Sequence, residues 1–357
     1  MIHLSAAVLL APTAALTGSE DSNNEWLKLD RELQGMTSAL SAQDETGPNF
    51  GLEMVITQQY SEDDVFSSGG KDLSGTVLRR ARLLFSGSVG DTNYFISGEM
   101  SDGTMELVDA YASWNVSEAS TLYFGQYKGP LLWSGRSNRF YDRFLDLPIT
   151  GDETDDRTPG IMFESGLGSF RWLLSAQNGA DGTGDDFRLI GRAEWDVIGD
   201  GAFGRDHGAY GYSEGTQLTV GVGFLDDGAV SDGSAVAGDV GLVVDGLSVR
   251  ADMVQYAEDY DATSGLDFDN ILGTTKADTT PATVTVGYLF GEDEWELLAR
   301  WEEFDDSLDS SRSSVGLVWY TPFGPAGRWS LLYQDVGSDA DALEGARFEL
   351  GFSLLGS

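Results

Sequence analysis

From Phe50 onward, apolar and polar side chains alternate along the chain with a period of two. In 77–85 (VLRRARLLF), Val77, Ala81, Leu83 and Phe85 share one face, and Arg80 and Arg82 lie on the other. Phe187, Leu189, Ala193 and Trp195 oppose Arg188, Arg192 and Glu194 in the same way. Trp295, Leu297, Ala299 and Trp301 oppose Glu296 and Arg300, and Phe348, Leu350 and Phe352 oppose Arg347 and Glu349. Successive side chains of a strand point to opposite faces, so each run predicts a strand with one apolar face. Sixteen segments follow this rule: 51–60, 76–88, 91–100, 106–116, 121–128, 158–165, 169–178, 186–197, 216–225, 237–244, 247–256, 282–290, 294–303, 311–320, 327–336 and 346–355.

Alternation by itself also fits a soluble antiparallel sandwich. Three features favour a membrane barrel. The segments are near ten residues, the length at which a tilted strand crosses ~25 Å of hydrocarbon. Aromatic residues sit at segment ends, as an interfacial girdle requires. The polar faces carry several arginines, which a sandwich core would have to bury and a water-filled lumen solvates. The connections also alternate in length. Short ones such as 90–91, 166–168 and 246 predict periplasmic turns, and long ones such as 61–75, 198–215 and 257–281 predict external loops. The predicted fold is therefore all-β, a transmembrane antiparallel β-barrel of about sixteen strands with an aqueous channel.

A different pattern precedes the barrel. Residues 4–16 (LSAAVLLAPTAAL) resemble the apolar core and small-residue end of a secretory signal, although only His3 stands where a basic region is usual. Residues 1–18 are assigned to this segment. In 19–48, Trp26, Leu29, Leu33, Met36 and Leu40 follow 3-4 heptad spacing and predict a short N-terminal helix and linker. That helix is either an oligomerisation element or an amphipathic helix docked on its own domain. The barrel takes 49–357.

Composition narrows the function. The chain has 59 acidic and 21 basic side chains, a net charge of −38, and so repels nucleic acid. It has no cysteine and two histidines, His3 and His207, which disfavours thiol catalysis, histidine triads, Cys-ligated zinc and bound cofactors. The chain is not expected to be an enzyme. A phospholipase-type hydrolase would need an activated serine beside a histidine, and His207 has no such neighbour pattern. Acidic clusters such as 62–64, 152–156, 226–227 and 258–261 predict a solvated surface. Divalent cations are an alternative use of the same carboxylates, without a spacing that names a site.

Leu78–Leu83 (LRRARL), Val108–Tyr111 (VDAY), Phe124–Pro130 (FGQYKGP), the arginine-bearing stretch 134–143 and Trp172–Gly179 (WLLSAQNG) resemble the phosphate-selective porin family. The resemblance is specific across about 76–195 and pattern-level from 216 onward. It implies a sixteen-stranded homotrimeric porin of the Gram-negative outer membrane, in contact with membrane lipid and lipopolysaccharide. It also implies that the third long loop, 129–157, folds inward and that an arginine ladder passes small anions through a constriction. On this chain the implied pore-lining residues are Arg80, Arg82, Lys128, Arg136, Arg139, Arg143, Arg171, Arg188 and Arg192. Arg136, Arg139 and Arg143 would align on one face if their segment were helical. The chain departs from the family in having four lysines, of which Lys128 alone lies near the constriction, and in ending Leu-Leu-Gly-Ser after Phe352.

The expected function is passive diffusion of small hydrophilic solutes with a modest, phosphate-like anion preference. The alternatives are a general porin whose acidic loops make it weakly or cation selective, and an extracellular β-sandwich adhesin. The arginines have a structural alternative as well: pairing with Glu99, Asp109, Glu194, Asp252 and Glu302 to stiffen the wall.

Overall fold

The computed structural model describes residues 48–62, 73–152, 154–179, 187–203, 208–210, 215–228, 233–260, 276–306, 309–339 and 344–356. The signal-like segment, the heptad helix and His207 lie outside the described residues.

Sixteen strands run in chain order: β1 (Asn49–Glu62), β2 (Leu73–Val89), β3 (Thr92–Glu99), β4 (Glu106–Ser117), β5 (Ser120–Lys128), β6 (Arg157–Leu167), β7 (Phe170–Asn178), β8 (Phe187–Ile198), β9 (Thr216–Asp226), β10 (Ser234–Val244), β11 (Leu247–Tyr256), β12 (Ala282–Phe290), β13 (Trp295–Glu303), β14 (Ser311–Thr321), β15 (Gly324–Gly337) and β16 (Gly345–Gly356). Each pairs antiparallel with the next, and β1 pairs with β16, so the sheet closes on itself. Closure satisfies every edge, which a sheet in hydrocarbon requires. All sixteen segments expected from the alternation are strands, with ends within three residues of expectation.

The two faces are inverted relative to a soluble protein. Leu174, Leu189, Val222, Phe224, Leu297, Val315, Leu331 and Leu350 are exposed on the outside. Thr57, Ser97, Gln177, Thr219, Ser314, Ser330 and Gln334 are buried on the inside. An apolar belt around a polar interior is the membrane-barrel pattern. Aromatic pairs ring the short-turn end, among them Phe50–Phe85 at 5.0 Å, Trp295–Trp319 at 6.1 Å and Trp329–Phe352 at 4.7 Å.

One irregularity changes the face assignment in β2. Val55 pairs with Arg80 but Ile56 pairs with Leu78, leaving Arg79 as the extra residue of a bulge. Arg79 therefore turns inward beside Arg80 and bonds Asp146 and Glu349. Val77 now sits opposite the buried Thr57, on the lumen face and not the outer face that strict alternation assigned it.

A second correction concerns 198–215. It joins β8 to β9, and connections from even to odd strands fall at the end of the short turns. This segment is thus not an external loop. The length of a connection does not decide which end of the barrel it occupies; the parity of the strands it joins does.

Gly125 in β5 has φ +131°, and a Cβ there would lie 2.7 Å from the Cα of Tyr111. Gly125→Ala is expected to cost about 1–3 kcal/mol through overpacking and strain, read as a lower urea midpoint in a tryptophan-fluorescence unfolding curve.

Candidate functional site

The connection from β5 to β6, residues 129–156, folds into the lumen. Leu131 and Leu132 pack on the inner wall with Ile190, Leu225, Ala237 and Val254. The Trp133 N–H donates to Asp239 Oδ2 at 2.9 Å and starts a single helical turn, α1 (Trp133–Arg136). Ser137 and Asn138 are extended, with ψ 159° and 119°, before a 3-10 turn at Arg139–Tyr141. Phe140, Phe144 and Leu145 then bury against Val55, Val243, Leu298, Val318 and Leu332. A last turn, α2 (Ile149–Asp152), begins with the Ile149 N–H on Glu302 Oε1 at 2.8 Å.

The wall holds this loop by charge. Arg300 Nη2 donates to both oxygens of Asp142, at 2.8 and 2.7 Å. Arg328 donates to the carbonyls of Phe140 and Asp142. Arg143 pairs with Glu296, both buried.

The arginine triplet is not aligned on one helical face, because the extended residues 137–138 break the helix. Arg136 reaches Glu164 on β6 at 2.8 Å. Arg139 pairs with Asp152 and Asp155 within the loop. Arg143 faces the opposite wall. Burial pushes the carboxyl of Asp155 up, but Lys128, Arg139 and Arg157 outweigh it and hold it below the ordinary carboxylate range.

The β8–β9 connection enters from the other end. Phe203 stacks on Trp133 at 5.3 Å with a 12° interplanar angle, and Arg250 lies 4.6 Å from the Trp133 ring centre. Gly208 sits where a Cβ would meet Glu296 Oε1 at 2.7 Å, and Tyr210 packs on Tyr320 at 4.7 Å. Together the two insertions fill the β8–β15 side of the lumen.

On the opposite side a cavity of about 270 Å³ stays open. It is lined by Glu53, Arg82, Asp109, Lys128, Arg136 and Arg157, with Phe95, Tyr111, Tyr123 and Tyr127 on the wall. Of the residues expected to line the pore, Arg82, Lys128 and Arg136 meet here. Arg80 stands beside them, 3.9 Å from Glu99. Arg188 pairs with Asp156 at 3.2 Å, near the long loops. Arg192 is buried between Glu194 and Asp239 at 2.7 and 2.8 Å. Arg171 lies toward the short-turn end with Glu194 and Asp196. Of the pairings that the sequence allowed for these arginines, those with Glu99 and Glu194 are present, whereas Asp109 pairs with Arg157 and Glu302 with Arg312. Sequence reading missed Arg157, Glu53 and the four aromatics, although their inward parity on β1 and β3–β6 follows from the same alternation.

Among the described residues no group of three or more His, Cys, Asp or Glu side chains is arranged to hold a metal ion.

Asp227, just past β9, is buried, and burial pushes its carboxyl up to about 6 against the pull of Arg188 and Lys276, with Asp156 and Asp226 adding to the rise. A carboxyl raised on folding binds its proton more tightly in the folded state. It therefore stabilises the fold at low pH and loses that contribution as pH rises toward and past about 6. Asp227→Asn is expected to raise stability at pH 7 and to flatten its pH dependence between about 4 and 6, measured by urea unfolding at several pH values.

No family model matches the chain, and no curated protein does. Solved structures do. The outer membrane channel DcaP of Acinetobacter baumannii matches at 16% identity over 87% of this chain and 97% of that one, with a TM-score of 0.58. The chain has the porin fold. An anion-selective porin from Comamonas acidovorans matches at 12% identity, 87% and 100% coverage and a TM-score of 0.58. The trimer form of OmpT, an outer membrane protein of Vibrio cholerae, matches at 12% identity, 87% and 99% coverage and 0.56. Within that fold the β5–β6 connection packs on the inner wall, and the β8–β9 connection meets it through Phe203 on Trp133.

Proposed function

We propose that the protein is a passive outer-membrane channel for small hydrophilic solutes with a modest anion preference. The carrying observation is the open cavity beside the third loop. Its lining holds four cations, Arg82, Lys128, Arg136 and Arg157, against two anions, Glu53 and Asp109, so 4 − 2 leaves a net charge of +2. Guanidinium groups keep their charge at any working pH and present planar donors to oxyanions. Glu99, Asp155 and Glu164 stand close to these cations, at 3.3 Å from Arg82, 3.4 Å from Lys128 and 2.8 Å from Arg136, and reduce the field. That partial neutralisation supports modest selectivity and not tight phosphate capture. A homotrimer in outer-membrane lipid and lipopolysaccharide is part of the reading, supported by the trimer form of the Vibrio cholerae neighbour.

The second reading is weak or cation selectivity, favoured by the net charge of −38 and by the same ion pairs. Reversal potential across a planar bilayer under a tenfold salt gradient separates the two. The expected sign is anion-directed. Lys128→Gln with Arg136→Gln brings the lining from +2 to 0 and is expected to abolish the preference. A cation-directed reversal in the unaltered protein would give the mouth and its acidic loops control of permeation.

A further inference from the structure

The cavity carries a feature that ion conduction does not need. Phe95 on β3, Tyr111 on β4, and Tyr123 and Tyr127 on β5 form one contiguous strip, with ring centres 5.5, 5.9 and 6.4 Å from that of Tyr111. The strip is built, not incidental. Gly125, between Tyr123 and Tyr127, pairs with Tyr111 and leaves no room for a side chain there. Tyr123 donates its hydroxyl to Glu164 at 3.1 Å, and Tyr127 shares a bond with Ser175 at 3.1 Å, so the rings are fixed in place.

Around the strip stands a rim in which donors and acceptors alternate. Arg136 is on Glu164 at 2.8 Å, Arg157 on Asp109 at 2.9 Å, and Lys128 donates to the Ser137 carbonyl at 2.7 Å. Glu53 lines the cavity, is 1% exposed, and has one carboxylate oxygen, Oε2, with no hydrogen-bond partner; its other oxygen accepts from Asn138. A buried acceptor without a donor is costly and calls for a ligand donor.

We propose that the aromatic strip and its rim form a binding subsite for a neutral pyranose sugar; this names a solute class for the channel and rests on that reading. An apolar sugar face covers an aromatic ring, whereas its hydroxyls both donate and accept. A hydroxyl can therefore donate to Glu53 Oε2 and join the rim ion pairs without breaking them. A small inorganic anion passes the same cations but has no apolar face to lay on the rings, so the strip does not retain it.

The test uses methyl α-glucopyranoside on the detergent-solubilised protein, read by saturation-transfer NMR, and on the bilayer-inserted protein, read as sugar-dependent loss of current. Transfer to the ring C–H protons and saturable current block are expected. Phe95→Ala and Tyr111→Ala should each weaken both by roughly tenfold, the scale of one aromatic contact. Tyr111→Phe should retain most of the affinity, Glu53→Gln should lose part of it, and Tyr288→Ala on the outer face should change nothing. Heat-modifiable gel migration confirms that each variant is a folded barrel. Ion current without transfer or block overturns the subsite and leaves the channel reading standing. Sodium benzoate bound in preference to the glucoside, or alanine variants that bind like the unaltered protein, also overturns it. Sugar transfer in a protein that carries no current keeps the subsite and removes the channel reading.

Discussion

Replacing residues 200–214 by a two-residue Asn-Gly turn is expected to raise single-channel conductance by about twofold or more, since a sixteen-stranded barrel leaves an aqueous lumen when nothing fills it. The short-turn end of this barrel is otherwise closed by brief connections such as 90–91 and 245–246. The β8–β9 insertion instead sends Phe203 onto Trp133 and Tyr210 onto Tyr320, and its Ala202 and Ala209 are buried. Its removal takes these side chains out of the lumen without touching a ladder hydrogen bond, because β8 and β9 keep their register from Leu189–Asp226 to Ile198–Leu218. The barrel should still form and migrate as a heat-modifiable band. An unchanged conductance would mean that permeating ions never pass that side of the lumen and that the open cavity beside β1–β6 alone sets the current.

The second large effect is expected at Asp142. It is buried, accepts both bonds from Arg300, and its Oδ1 also accepts the Phe144 N–H at 2.8 Å. Asp142→Ala leaves a buried guanidinium without its carboxylate, a loss of about 3–5 kcal/mol. The apolar cluster of Phe140, Phe144 and Leu145, the Arg143–Glu296 pair and the Arg328 bonds to the backbone would then hold this part of the loop. The readout is a lower unfolding temperature of the folded gel band, together with noisier open-channel current as the loop leaves the wall. Asp142→Asn should fall between, since an amide oxygen still caps Phe144 but carries no charge for Arg300. A stability equal to that of the unaltered protein would show that apolar packing anchors the loop and the ion pair is incidental.

Much of the molecule is legible in one dimension because a barrel is a local pattern repeated. Trp295, Leu297, Ala299 and Trp301 could be assigned outward, and Glu296 and Arg300 inward, from parity alone, and the structure places them so. The inward turn of 129–156 was expected only through the family resemblance, yet its apolar residues 131–132, 140 and 144–145 have no place on an external loop and offer a physical signal. The bulge at Arg79 was hidden, since an extra residue breaks parity without any mark in composition. The 3-4 spacing of Arg136, Arg139 and Arg143 misled for a related reason. Spacing places side chains on one face only if the backbone between them stays helical, and Ser137 and Asn138 are extended.

The sequence by itself determined the strands, their number, their lipid and lumen faces except around the β2 bulge, and the excess of acid outside them, because each depends on neighbours within a few residues. Only the tertiary structure decided which arginines line the open cavity. Arg192 and Arg143 are locked in buried pairs with Asp239 and Glu296, whereas Arg82, Arg136 and Arg157, although paired with Glu99, Glu164 and Asp109, also line the cavity. Those pairings join residues 47 and 153 positions apart in the chain. Ion pairing at such separations is set by closure of the barrel and by the path of two inserted loops, and no periodicity in the sequence encodes either.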